Sequence, residues 1–211
     1  RGVSRYRAQR ENINDVGFIS TLIGRMVKKY NIDKKRVYIT GMSNGAMMSY
    51  RLACELADKV AAIAPVGGLM PEKLSLHCSP SRPVSVLIIN GVDDPLVPWK
   101  GGDLHFGRLK LGKGLSVSDT VNYWVTHNAC SSTPVISREP DRDSQDSTQV
   151  YKEVFGKGKN GTEVILYTIE GGGHTWPGGH QYLNERIIGK TSRDINANEV
   201  IWNFFKKHSI K

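Results

Sequence analysis

The chain's 211 residues, 39% hydrophobic, 23% charged and 8% aromatic, have the composition of a globular protein and exclude a disordered one. Its 29 Lys and Arg against 20 Asp and Glu leave a charge of +9, yet the basic residues stand in short groups around 28–29, 34–36, 157–159 and 206–207. With no longer basic run and no nucleic-acid-binding motif beside them, they read as solvated surface charge, so no nucleic-acid partner is expected.

No apolar run approaches the roughly 20 residues of a membrane span, since the nearest, Val84–Asn90, has strand length. A chain of this size buries roughly 70% of its unfolded surface, so one core needs neither a metal nor a dense disulfide framework. Cys54, Cys78 and Cys130 form no CxxC pair, and His127-x-x-Cys130 alone is a poor zinc ligand set, so neither metal nor cofactor is expected. One disulfide with an odd thiol would suit an exported protein and three free thiols a cytosolic one; residue types alone leave both open. Arg1 is neither Met nor part of an apolar leader, which reads as a processed chain or an excerpt of a longer one.

From Asp15, apolar residues Val16, Ile19, Leu22, Ile23, Met26, Val27 and Tyr30 recur at helical spacing, with Asn14 or Asp15 able to cap the helix and Asn31 to Lys35 ending it. Arg36–Thr40 is β-branched and aromatic, a strand running into Gly41-Met42-Ser43-Asn44-Gly45, after which Ala46–Ala57 reads as a buried helix. Val60–Val66 and Val84–Asn90 are apolar throughout, as strands covered on both faces are. A helix near Val117–Asn128, strands Gln149–Phe155 and Glu163–Ile169, and a helix Ile195–His208 complete the set. Asn160-Gly161 predicts a turn that makes the last two strands antiparallel; as the sequon Asn160-Gly161-Thr162 it is the weaker glycosylation signal. Arg138–Thr148 reads as an exposed loop, with no repeat and no second domain. The fold class is α/β: one domain over 1–211 with a mostly parallel sheet and helices on both faces.

Gly41-x-Ser43-x-Gly45 carries the chemistry because it stands between a strand and a buried helix. A sharp turn there would hold Ser43 in a strained conformation, its hydroxyl above the sheet at a helix N-terminus where backbone N–H groups stabilise an anion. A serine needs a base and the base an orienting acid, and both follow at later strand ends: Asp93-Asp94-Pro95 after Val84–Asn90, and His174 after Glu163–Ile169. The order Ser, Asp, His is that of an α/β-hydrolase. Pro95 restricts the backbone of Asp94 and favours it over Asp93, and His180 in the same Gly-rich stretch is the rival to His174. Gly189-Lys190-Thr191 imitates a phosphate loop, but Asn184 stands where its first glycine belongs.

The sequence resembles the esterases related to polyhydroxybutyrate depolymerase, which include feruloyl and acetylxylan esterases. The resemblance lies in Asp15–Phe18, Tyr38–Met48, Ala64–Gly68, Asn90–Pro98 and Gly172–Gly179. It implies an α/β-hydrolase domain in which Ser43 is the nucleophile, His174 the base and Asp94 the orienting acid, acting on short acyl esters, small or polymer-borne, without a cofactor. It also implies a Cys54–Cys78 disulfide and with it an extracellular or secreted location, with Cys130 left over. The N–H of Asn44 would be one oxyanion donor, while Trp99 and Trp176 would line the rim of the site. The family's early strands and their His-Gly loop, source of the second oxyanion donor, have no counterpart before Asp15. The rival expectation is therefore a non-catalytic, hydrolase-like binding domain.

Overall fold

The computed structural model describes residue 11, residues 13–106 and residues 109–211. Helix α1 spans Asp15–Tyr30, capped by the Asn14 side chain on the Gly17 N–H and closed by Asn31 in the left-handed region. Strand β1 is Tyr38–Met42 and helix α2 is Asn44–Glu55. The helix starts two residues before Ala46 because the Ser43 carbonyl already accepts from the Met47 N–H, the first helical bond. Strand β2 is Ala62–Val66, α3 the short Glu72–Ser75, and β3 Ser85–Gly91, seven buried residues in a row. Strands β4 (Gly102–Phe106) and β5 (Leu109–Gly114) then pair with each other as a separate ribbon. Helix α4 is Val117–His127, β6 Val135–Arg138, β7 Gln149–Phe155 and β8 Val164–Glu170. The one-turn α5 (Glu185–Ile188) and α6 (Ala197–Phe205) end the chain. Helix α6 is shorter than its apolar pattern because Asn196 caps it and Lys207 and His208 turn back on the carbonyls of Phe204 and Phe205.

The sheet order is β1-β2-β3-β8-β7-β6, parallel from β1 to β8 and antiparallel beyond. The strand register places Met42 beside Val66, Val66 beside Ile89, and Gly91 beside Ile169, so four C-terminal strand ends lie side by side. Alternation on β3 divides the interior. Val86 and Ile88 join Tyr50, Leu52 and Trp124 of α2 and α4, while Leu87 and Ile89 join Ile201, Phe204 and Phe205 of α6. Helices thus cover both faces of a mostly parallel sheet, as the continuous apolar strands predict.

Two features differ from the sequence reading. The ribbon β4–β5 and strand β6 had no alternation to announce them; β6 is exposed at every residue and exists through its bonds to β7. Helix α1 has the expected period, but it buries only Val16, and Phe18, Leu22, Met26 and Tyr30 form an apolar stripe four residues apart facing solvent. Strand β1 forms an edge of the sheet among the described residues.

Candidate active site

Ser43 occupies the turn between β1 and α2 with φ of 57° and ψ of −115°, a conformation costly for a residue with a Cβ. Two bonds hold it there: its N–H donates to the Val66 carbonyl at 2.9 Å, and its carbonyl accepts from Met47 at 3.1 Å. Serine at a helix N-cap ordinarily turns its hydroxyl onto the first free amides, but the Ser43 side chain makes no capping bond. The turn is tight because a Cβ on Gly41 would fall 2.8 Å from the Gly45 carbonyl carbon; a Cβ on Gly45 itself would meet nothing within 4 Å. Asn44 is the first residue of α2, so its N–H is one of the donors no helix satisfies internally.

Asp94 follows β3 in a turn that it holds together itself. Its Oδ1 accepts from the Leu96 and Val97 amides, both at 2.8 Å, and its Oδ2 lies 2.7 Å from His174 Nδ1. The side chains of His174 and Asp94 are 5% and 0% exposed, so the pair is sealed from water. Asp93 is exposed, and His180 is exposed as well; of the competing residues, only Asp94 and His174 meet. A carboxylate whose other oxygen takes two N–H bonds acts as an acceptor, so Nδ1 is the donor in this contact and Nε2 is the ring nitrogen not engaged by Asp94.

His174 stands four residues after the end of β8, and its ring lies over Gly67. Gly67 has φ of +54°, and a Cβ built there would lie 3.5 Å from His174 Nδ1 and 3.8 Å from Met42 Cγ. It directly follows Val66, whose carbonyl anchors Ser43, so the ends of β1, β2 and β8 bring Ser43 and His174 into one neighbourhood.

A strap over 181–190 clamps the backbone of this histidine, and nothing in the residue pattern announced it. The Tyr182 hydroxyl donates to the His174 carbonyl at 2.8 Å, the His174 N–H donates to the Ile188 carbonyl, and Gly173 donates to Lys190. Gln181 ties the strap to itself through the Leu183 and Gly189 carbonyls and the Thr191 N–H. Burial, with a smaller contribution from Asp94, pushes the Tyr182 phenol above its ordinary pKa, so it remains a donor.

Trp99 is half-buried against the core beside α2 and α4, and Trp176 against the opposite core, its Nε1 donating to Asn198 at 3.1 Å. Met47 and Met48 also rest on the first core. Cys54 of α2 is joined to Cys78 before β3, with Cα atoms 5.1 Å apart, and Cys130 is a half-buried free thiol. Among the described residues no group of three His, Cys, Asp or Glu side chains could hold a metal ion.

The chain resembles several known proteins. It is 31% identical over 163 residues to feruloyl esterase B of Piromyces equi, covering 76% of this chain and 29% of that protein. It is 28% identical over 179 residues to poly(3-hydroxyalkanoate) depolymerase C of Paucimonas lemoignei, covering 75% of this chain and 40% of that protein. The crystal structure of a thermostable esterase superimposes with a TM-score of 0.51 at 14% identity, over 92% of this chain and 37% of the other, a likeness of fold. The chain thus spans about half the length, or less, of the curated relatives it matches. Residues 4–131 match the model of the phospholipase and carboxylesterase family, a span that includes Ser43 and Asp94 and ends before His174. With more than half its length inside that match, on a mostly parallel sheet covered on both faces, the chain belongs to the phospholipase/carboxylesterase family of α/β-hydrolases.

Proposed function

We propose that the chain carries a serine carboxylesterase site in which Ser43 is the nucleophile, His174 the general base and Asp94 the orienting acid. The observation that carries this reading is the buried 2.7 Å contact between His174 and Asp94 at strand ends adjoining a strained serine whose hydroxyl does not cap its helix. Ser43 Oγ attacks the ester carbonyl as His174 Nε2 takes its proton, and the same proton then goes to the departing alkoxide, leaving an acyl-enzyme. Water then attacks the acyl carbonyl as it gives a proton to His174, and His174 returns that proton to Ser43 Oγ as the acid leaves. Asp94 fixes the imidazole tautomer and stabilises the imidazolium formed in each half-reaction. The Asn44 N–H supplies one oxyanion donor, at the positive end of α2.

The substrates in this reading are esters of short acyl chains, small or borne on a polymer; Trp99 and Trp176, half-buried against different cores, would have to turn an aromatic face to the site to hold them. The Cys54–Cys78 bridge supports an oxidising, extracellular setting. The test is hydrolysis of a chromogenic ester series, acetate through octanoate, by the chain and by Ser43→Ala, together with fluorophosphonate labelling. Turnover and labelling that both vanish in Ser43→Ala are expected. Absence of both in the folded parent chain would favour the non-catalytic binding domain instead.

A further inference from the structure

The end of the sheet opposite the Ser43 site holds a cavity of about 80 Å³, lined by Arg82, Ser85, Thr162, Lys207, His208 and Lys211 among others. Ser85 opens β3 and Thr162 precedes β8, whereas Asp94 and His174 follow the far ends of the same strands. Seven residues of strand separate the two ends by about 20 Å, so this cavity is no part of the Ser43 site.

Among the described residues, its lining includes Arg82, Lys207 and Lys211 and no Asp or Glu. Arg82 is held from behind: one guanidinium nitrogen, Nη1, donates to the carbonyls of Ala57 and Val60, both at 3.0 Å. That leaves the rest of its fork for another acceptor. Lys211 Nζ lies beside Gly161, 2.8 Å from where a Cβ would stand. His208 is fixed between Ser85 Oγ and Glu163 Oε1, each at 3.1 Å, so the nearby acid is hydrogen-bonded to histidine, with a weaker attraction to Lys207. Burial acts on Arg82 against its charge, with Asp58 offsetting part of that cost. An anion in the cavity would relieve the mutual repulsion of these groups, and a fork beside two ammonium groups suits a tetrahedral oxyanion carrying more than one charge.

We propose that this cavity binds a phosphate group, through Arg82 as a fork and Lys207 and Lys211 as point charges. The proposal is independent of the esterase reading, since no residue of the Ser43 site takes part.

The test is calorimetric titration of the intact chain with inorganic phosphate and with glycerol 3-phosphate at constant ionic strength, with chloride as the control salt. One saturable site is expected for phosphate. It should weaken by about tenfold or more in the Lys207→Gln, Lys211→Gln double variant, because charge-assisted hydrogen bonds are lost. Both lysines are exposed, and the variant's unfolding midpoint in chloride, measured beside the parent, separates lost phosphate binding from the lost attraction between Lys207 and Glu163. Arg82→Lys should weaken binding as well. Tighter binding of the phosphomonoester would assign the site to a phosphorylated molecule, and the reverse order to free phosphate. No saturable binding up to about 10 mM phosphate, or equal binding by the double variant, overturns the proposal.

Discussion

His174 and Asp94 lie 80 residues apart in the chain, yet their Nδ1 and Oδ2 atoms meet at 2.7 Å in a place closed to water. Two backbone amides fix the carboxylate, so it cannot turn away from the imidazole. Asp94→Asn should preserve this shape while favouring the wrong tautomer, lowering kcat on a chromogenic acetate by about 1,000- to 10,000-fold with little change in unfolding midpoint. Steady-state kinetics and thermal unfolding of the purified variant check both halves.

The two glycines flanking Ser43 have unequal duties. A Cβ at Gly41 collides with the Gly45 backbone, whereas one at Gly45 enters open space. Gly41→Ala should therefore abolish activity or folding, and Gly45→Ala should retain the fold and, within the helix α2, gain a few tenths of a kcal/mol or more from the better helix former. Circular dichroism and urea unfolding of the pair distinguish them; equal losses would contradict the turn geometry.

Tyr182 acts on the site through the backbone of His174. Removing its hydroxyl in Tyr182→Phe sacrifices one hydrogen bond, so kcat should fall by up to about tenfold with KM nearly unchanged. A structural role alone would move the unfolding midpoint and leave kcat untouched.

The Cys54–Cys78 bridge ties α2, the helix that begins at Ser43, to the loop entering β3, closing a separation of 24 residues. Replacing both cysteines by serine should cost on the order of 3 kcal/mol, read as a shift in urea midpoint, because the unfolded chain regains the loop's freedom. Reductant should lower the midpoint of the parent chain by a comparable amount and leave the variant unmoved.

Glu163 binds His208 at the start of β8, and that hydrogen bond, against the opposing effect of burial, holds its carboxyl below the ordinary 4.5. A depressed folded pKa means that the contribution is complete above 4.5 and is lost as pH falls through the lower, folded value. Glu163→Gln should be less stable than the parent by on the order of 1 kcal/mol at pH 6. The gap should narrow by pH 3; urea unfolding at both pH values would show a constant gap if the pairing were irrelevant.

The order of elements was legible because short apolar strands and 3.6-period helices leave different patterns in the chain. Strand Gln149–Phe155 appears at its expected bounds, and the antiparallel turn about Asn160 stands where Asn-Gly predicts, with Asn160 at φ of 60°. The β4–β5 ribbon was hidden because glycines at 101, 102, 112 and 114 leave no regular alternation there, and β6 because its pairing with β7 is non-local. The strap over 181–190 was equally invisible, since a tyrosine eight residues from a histidine has no meaning until the chain folds back on itself.

What the sequence determined by itself is the set of local preferences: where strands and helices form, and that Ser43, Asp94 and His174 each follow an apolar strand. Tertiary structure alone decided which acid meets the histidine. Register aligns the ends of β3 and β8, and the Asp94 turn spends one carboxylate oxygen on its own amides, leaving the other for His174 while Asp93 faces water. It also decided the fate of the apolar stripe on α1. Periodicity specifies that Phe18, Leu22, Met26 and Tyr30 share a face, but burial needs a neighbouring surface, and the described residues leave that face open to solvent.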